Sequence, residues 1–239
     1  MSNQNIWGLD DGSMRRQKRR AQTVAFYLDS VSEDLILDLG CGEGFVTSHI
    51  LNGGLIVGLD LSRISLSTAK QKTRLLNTEF VRADVTALPF KIDSFDKITL
   101  LEVLEHLDKE KEKKVCCELD KVLKKEGILL ISVPYKERIA YTTCIHCGKS
   151  TPLWGHLRIL DEERIIRLLP STYSLTATCH LPNIPLVTLS RVFQNLPFRA
   201  WLALNNVLGR IRKGYWIIFK FHKSQPLKSS TGENSKARA

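Results

Sequence analysis

The stretch Leu37-Asp38-Leu39-Gly40-Cys41-Gly42-Glu43-Gly44 (LDLGCGEG, residues 37–44) decides how the rest of the chain is read. Residues 35–40 are a short apolar run, as expected for a strand buried on both faces of a parallel sheet. A helix from Gly44 to about Leu51 is expected next, stopped by Asn52-Gly53-Gly54. A ligand at such a corner meets free backbone N–H groups and the positive end of a helix dipole. Gly40 can take the tight turn, Gly42 lets a ligand approach the backbone, and Gly44 permits close helix packing. A dinucleotide fingerprint, G-x-G-x-x-G, would need its third glycine at Phe45. The pattern is D-x-G-x-G-x-G instead. A carboxylate at Asp38 suits a ligand carrying positive charge and would repel a pyrophosphate. Asp60, at the end of the next strand, is placed to accept from a ribose diol, and Asp84, after the third, from an exocyclic amine.

Outward from this corner, strands and helices alternate. LIVGLD (55–60) is the second strand, and Ser62 caps a helix running to about Leu76. EFVRADV (79–85) and FDKITLL (95–101) follow as strands. Val115, Leu119, Val122 and Leu123 mark a helix over 109–126 that Gly127 closes at C′. GILLISVPY (127–135) is the fifth strand; DEERIIRLL (161–169) is a helix, and YSLTATCH (173–180) and GYWIIFKFHK (214–223) are closing strands. This order predicts an α/β, doubly wound, Rossmann-like sheet in one domain over residues 15–223. Residues 1–14 read as a flexible N-terminus, 15–28 as a basic helix, and 224–239 as a disordered tail.

The 239 residues are 43% hydrophobic and 25% charged, ordinary for a globular protein, but the net charge is +10. Much of it is local, in Arg15, Arg16, Lys18, Arg19 and Arg20 and between Lys223 and Arg238. Such runs suit an anionic partner, RNA or a lipid surface, or are simply solvated faces. The N-terminus lacks a secretion signal, and no apolar run approaches the roughly 20 residues that span a bilayer. A cytoplasmic location with reduced cysteines is therefore expected.

DLGCGEG, GLDLS, ADVTALPFKIDSFDKI and LLEVLEHL, in this order over roughly residues 30–135, resemble the class I S-adenosylmethionine-dependent methyltransferases. More narrowly they resemble the group that includes ubiquinone-pathway O-methyltransferases. The resemblance implies a seven-stranded sheet whose last strand, GYWIIFKFHK, is antiparallel. It also implies roles: Asp38 and the backbone of Gly40, Cys41, Gly42 and Gly44 on the methionine end of the cofactor, Asp60 and Leu61 on the ribose, Asp84 and Val85 on the adenine, and Leu101 against the cofactor.

Glu102, Glu105 and His106 follow the fourth strand, and in a helical turn positions i, i+3 and i+4 share a face. Two carboxylates and an imidazole suit Mg²⁺, and His106 is equally a metal-free general base. The same residues fit a capped helix start without any ligand. In related methyltransferases the segment after the fifth strand covers the acceptor pocket, which makes 136–160 a substrate lid. His156 within it then completes the metal set with Glu102, Glu105 and His106, contacts substrate, or merely precedes a helix.

TTCIHCGKSTPLWGH (142–156) is not a phosphate loop, since Thr143 stands where that motif needs glycine. Cys144 and Cys147 have the spacing of half a Zn²⁺ knuckle, with His146, His156, Cys179 or His180 to complete it. Residues 189–213 form an amphipathic insertion in which Phe193, Phe198, Trp201, Leu202, Leu204 and Leu208 mix with Arg191, Arg199, Arg210, Arg212 and Lys213. Its stripe suits peripheral membrane contact, a dimer contact, or packing over the sheet. The expected function is O-methylation of a small-molecule, lipid-linked or saccharide acceptor. An RNA ribose methyltransferase and a non-catalytic scaffold of the same fold are the rivals.

Overall fold

A computed structural model describes residues 11–181, 191–211 and 214–225. One sheet of seven strands organises the molecule. Its elements are β1 (Leu35–Leu39), β2 (Leu55–Asp60), β3 (Thr78–Arg82), β4 (Phe95–Leu101), β5 (Leu123–Pro134), β8 (Tyr173–Leu181) and β9 (Trp216–Lys223), in the order β3-β2-β1-β4-β5-β9-β8. β1 pairs in parallel with β2 and β4, and β4 with β5; β9 runs antiparallel between β5 and β8. The doubly wound sheet and its reversed last strand are as the motifs implied. The strand order reverses at β1, so the corners after β1 and β4 face one crevice, where open α/β sheets bind ligands.

The central strands are Leu, Ile and Val runs because helices cover both faces. On one face α3 (Lys109–Val122) and α4 (Glu162–Leu168) pack over Leu37, Leu39, Ile98, Leu129 and Phe219. On the other, α1 (Asp11–Leu28) and a helix at Phe198–Ile211, here α5, pack over Ile36, Leu130 and Ile218. α2 (Arg63–Lys72) starts where expected, with Ser62 accepting from the Ser65 amide.

Several expectations are corrected. No α-helix follows the glycine loop; only a 3₁₀ turn forms at Thr47–His49. Ser48 Oγ donates to the Phe45 carbonyl at 2.7 Å and His49 Nδ1 lies 2.8 Å from it. That carbonyl is the one an α-helical turn would need, and β-branched Val46, Thr47 and Ile50 weaken the helix further. α3 ends at Val122, and Gly127 lies inside β5 instead of capping it. Lys124 is drawn out of the helix by Asp96 at 2.8 Å, and a Cβ at Gly127 would come within 2.6 Å of Leu123. α1 begins at Asp11, ahead of the expected residue 15; residues 1–10 lie outside the described part. Ser224, placed in the expected tail, bonds to Thr172; residues 226–239 lie outside the described part.

The irregular stretch after β5 contains a small hairpin, β6 (Tyr141–Thr143) with β7 (Ser150–Pro152). Part of the amphipathic stripe is core: Trp201 is 4% and Leu202 6% exposed, with Arg19 over the Trp201 ring, while Phe193, Phe198, Leu204 and Leu208 are half-buried. Residues 189–190 and 212–213 of that insertion, and the side chains of Arg191 and Arg210, lie outside the described part.

Candidate active site

The two corners at the carboxyl ends of β1 and β4 are built differently. After β1, Gly40 and Cys41 donate to the Leu59 carbonyl, and Gly44 donates to Cys41. Gly40, Gly42 and Gly44 all have positive φ, at +70°, +52° and +71°. Gly44 has to be glycine on a second count, since a Cβ would sit 2.9 Å from the Ala69 Cβ of α2. Gly44 therefore does permit close packing, against α2 instead of a helix of its own.

Asp38 lies beneath this loop, 2% exposed. Its two oxygens accept from Thr47 Oγ1 at 2.5 Å and Thr99 Oγ1 at 2.7 Å. Burial raises its pKa, and the two hydroxyl donors oppose that. Asp60 accepts from the Gly42 amide at 2.9 Å and the Ser62 amide at 2.8 Å, tying the glycine loop to the start of α2. Asp84 is exposed and takes both the amide and the hydroxyl of Thr86 at 2.8 Å, and these bonds hold its pKa below the usual carboxylate range. Leu61 is exposed, Val85 half-buried and Leu101 buried. Burial, with Asp38 and Asp60 alongside, pushes the Cys41 thiol far above its ordinary value, which removes it as a nucleophile.

After β4 the chain carries the acidic and histidine residues. Glu102 has φ +56° and so leaves the helical path, while Leu104–His106 form a 3₁₀ turn. The i, i+3, i+4 geometry expected for Glu102, Glu105 and His106 therefore does not form. Glu102 instead sits 3.2 Å from Arg20 Nη2 and accepts from Ser132 Oγ at 2.8 Å. Ligand atoms of Glu105, His106 and His156 do come together, all within 4.8 Å of one another. The two imidazoles meet edge to face at 4.8 Å. His106 Nδ1 lies 3.2 Å from the Gly155 carbonyl, and His156 Nδ1 is paired with Glu137. With Nδ1 engaged on both rings, both Nε2 atoms are left for chemistry.

Glu105 is 1% exposed, and neither carboxyl oxygen has a hydrogen-bond partner among the described residues. Burial first, then the Glu102 charge, raises its pKa well above the ordinary carboxylate range. Burial lowers that of His106. The loop carrying His156 is anchored from behind. Arg158 donates to Glu112 of α3 at 2.7 Å, Arg164 joins at 3.0 Å, and the Leu157 amide donates to the Glu105 carbonyl.

Residues 37–131 match the methyltransferase domain family. A demethylmenaquinone methyltransferase of Renibacterium salmoninarum is 28% identical over 160 residues, 66% of this chain and 60% of that one. The mitochondrial ubiquinone biosynthesis O-methyltransferase of Saccharomyces cerevisiae is 28% identical over 185 residues, 70% of this chain and 59% of that one. The chain thus spans under two thirds of the length of these relatives. Residues 37–131 carry a methyltransferase domain, in agreement with the motifs that resemble the class I S-adenosylmethionine-dependent methyltransferases.

Solved structures of this methyltransferase fold agree on the architecture. The N-methyltransferase NodS from Bradyrhizobium japonicum, in complex with S-adenosyl-L-homocysteine, superposes with a TM-score of 0.62 at 16% identity, over 94% of both chains. The [4+2]-cyclase SpnF superposes at 0.61 and 19% identity, over 91% of this chain and 86% of that one. The fold alone therefore does not assign the reaction.

The sequence reading missed Glu137, Arg20, Thr47 and Thr99. Glu137 had one signal: it is an acid just past the carboxyl end of a strand. Arg20 had none, because it was counted within a basic run. Arg19 and Arg20 are each only 8% exposed, and Arg20 lies over the Trp216 ring at 5.0 Å. That part of the run is therefore not a solvated face for RNA or lipid. Among the described residues no helix is long and apolar enough to cross a membrane.

Proposed function

We propose that the chain transfers the methyl group of S-adenosylmethionine to a hydroxyl oxygen of a small-molecule or lipid-linked acceptor. The observation that carries this is the His156–Glu137 pair beside His106 and Glu105, at the same sheet edge as the glycine loop. A sulfonium methyl is already electrophilic, so the protein aligns the acceptor oxygen and removes its proton. Glu137 holds the His156 ring by Nδ1, leaving Nε2 to take that proton, as carboxylate-oriented imidazoles do. The 40–44 backbone, Asp60, Leu61, Asp84, Val85 and Leu101 form the cofactor cradle, with Asp38 shaping it from beneath through Thr47 and Thr99. Segment 136–160 acts as the lid over the acceptor. Of the quinone-pathway relatives, the ubiquinone biosynthesis O-methyltransferase supports an oxygen acceptor.

The residues also fit a divalent ion. Glu105 offers two unpartnered oxygens, and two imidazoles have their far nitrogens held. One carboxylate with two imidazoles suits Mn²⁺, Fe²⁺ or Zn²⁺ better than the Mg²⁺ set expected with Glu102. Bound there, an ion would supply Lewis acidity to lower the acceptor hydroxyl's pKa.

The test is calorimetric binding of S-adenosylmethionine, followed by release of S-adenosylhomocysteine with catechols with and without an isoprenoid tail, a saccharide, and an RNA with a free terminal ribose. Methylated catechol oxygen is the expected product. Failure to bind the cofactor sinks the enzyme reading and revives the scaffold, while product only on RNA, nitrogen or carbon overturns the acceptor.

A further inference from the structure

The β6–β7 hairpin carries Cys144 and Cys147 in its turn, within the lid segment but outside the cofactor cradle and the Glu105, His106 and His156 group. The Cys144 amide donates to the Lys149 carbonyl at 2.9 Å, and the Gly148 amide donates back to the Cys144 carbonyl at 2.9 Å. Gly148 has φ +68°, which closes the turn so tightly that a side chain there would be strained. The amides of Cys147 and His146 point at Cys144 Sγ. A turn that aims backbone donors at sulfur presents two cysteine side chains from one tight loop, as in one half of a tetrahedral Zn²⁺ site.

Among the described residues no third metal-ligating side chain joins these two cysteines. Every cysteine and histidine of the sequence falls among the described residues. The single group of three metal-ligating side chains there is Glu105, His106 and His156. Cys179 is 2% exposed under α5 and His180 lies against Tyr135, so neither completes a set with Cys144 and Cys147. The same hairpin and its exit leave large apolar side chains in water: Tyr141 63%, Ile145 92%, Leu153 50% and Trp154 65% exposed. Strands of three residues do not hold by themselves, and an exposed apolar cluster of this kind marks an interface.

We propose that Cys144 and Cys147 are half of a structural Zn²⁺ site that a second copy of this chain completes with the same two cysteines. The arrangement is a self-complementary two-fold contact. Four thiolates close the tetrahedron, each thiol releasing its proton to solvent on binding, and the ion keeps its charge throughout. Ile145 and Trp154 leave water against their counterparts. Lys149 from each copy stands beside the turn, offsetting the negative charge of the thiolate set. The hairpin ends four positions before His156, so closing it also stiffens the segment that delivers that histidine.

The experiment uses the full chain, purified with reductant, with Zn²⁺ supplied and without chelators. Metal is counted by mass spectrometry and oligomeric state by light scattering, in a His106→Ala/His156→Ala background that removes the other metal-ligating cluster. One Zn²⁺ per two chains is expected, with twice the chain mass. Cys144→Ser/Cys147→Ser should lose that ion and halve the mass, with S-adenosylmethionine affinity unchanged. Co²⁺ in place of Zn²⁺ should give a thiolate charge-transfer band that the double serine variant lacks. A monomer holding one thiolate-bound ion per chain overturns the shared site. So does a dimer that survives the double serine substitution, and absence of any thiolate-bound metal overturns the site itself.

Discussion

The glycine corner after β1 and the histidine corner after β4 share one edge of the sheet but handle their polar groups in opposite ways. At the glycine corner every acid is answered. Asp38 holds two hydroxyls, Asp60 two amides, and Asp84 the amide and hydroxyl of Thr86. At the histidine corner Glu105 is buried with neither oxygen answered among the described residues, Glu102 sits in a strained backbone region, and two imidazoles meet edge to face. A satisfied network fixes a shape before the ligand arrives. An unsatisfied buried carboxyl costs about 1–3 kcal/mol, and such a cost persists where a ligand repays it. The contrast separates a preformed cradle from a reactive centre, and each side can be broken independently.

The largest effect is expected at the reactive side. His156→Ala should lower kcat by about 10²–10⁴ while leaving the S-adenosylmethionine Kd unchanged, because a general base acts only on the acceptor proton. Single-turnover rates with saturating cofactor, beside calorimetry, measure both. A matching rise in Kd would move His156 into the cofactor cradle and erase the contrast.

Next comes the support behind that histidine. Glu112 is 1% exposed and is shared by Arg158 and Arg164. Glu112→Ala leaves the Arg158 guanidinium partly buried without its partner, which should cost about 3 kcal/mol in a denaturant melt. kcat should fall with it, since Arg158 stands two positions from His156. Asp60→Ala probes the other side. It removes two amide bonds that position the glycine loop, so the cofactor Kd should rise by roughly tenfold or more, with kcat at saturation changed little.

The two corners were also unequally legible. D-x-G-x-G-x-G between an apolar run and Asp60 is a local pattern, and its positive-φ glycines and tethering acids follow from residues within a short span. β1, β2, β4, α4, β8 and β9 were readable for the same reason, each being a run with its own periodicity and caps. The histidine corner is assembled from distant segments: Glu105 and His106 after β4, Glu137 after β5, His156 from the loop beyond, and Arg20 from α1. Nothing local marks Arg20 as a buried partner of Glu102, or Glu137 as the partner of His156. The missing helix after Gly44 failed for a different reason. Ser48 and His49 side chains compete for a backbone carbonyl, a contest that apolar periodicity does not register.

Titration sharpens the comparison further. Glu105 is raised from 4.5 to about 9, so in that window the folded chain binds a proton that the unfolded chain has lost. Stability should therefore fall as pH rises, by up to about 1.4 kcal/mol per unit, and level off above the folded value. Glu105→Gln should remove that slope, as should saturation of the site with a divalent ion, and chelation should restore it. Urea midpoints across the window decide it. A slope that survives in Glu105→Gln would assign it to another group.

The smallest effect is expected at the rim of the glycine corner. Lys72 reaches Glu43 of the loop at 2.8 Å, but the lysine side chain is 39% exposed. If the loop's shape comes from Asp38, Asp60 and the three positive-φ glycines, this surface pair adds almost nothing. Lys72→Ala should then cost under about 0.5 kcal/mol, less still in high salt, with the cofactor Kd unmoved. A Kd that rose severalfold and recovered in Lys72→Arg would mean that the cradle is held partly from outside. The glycine corner would then depend, like the histidine corner, on a partner from a separate element.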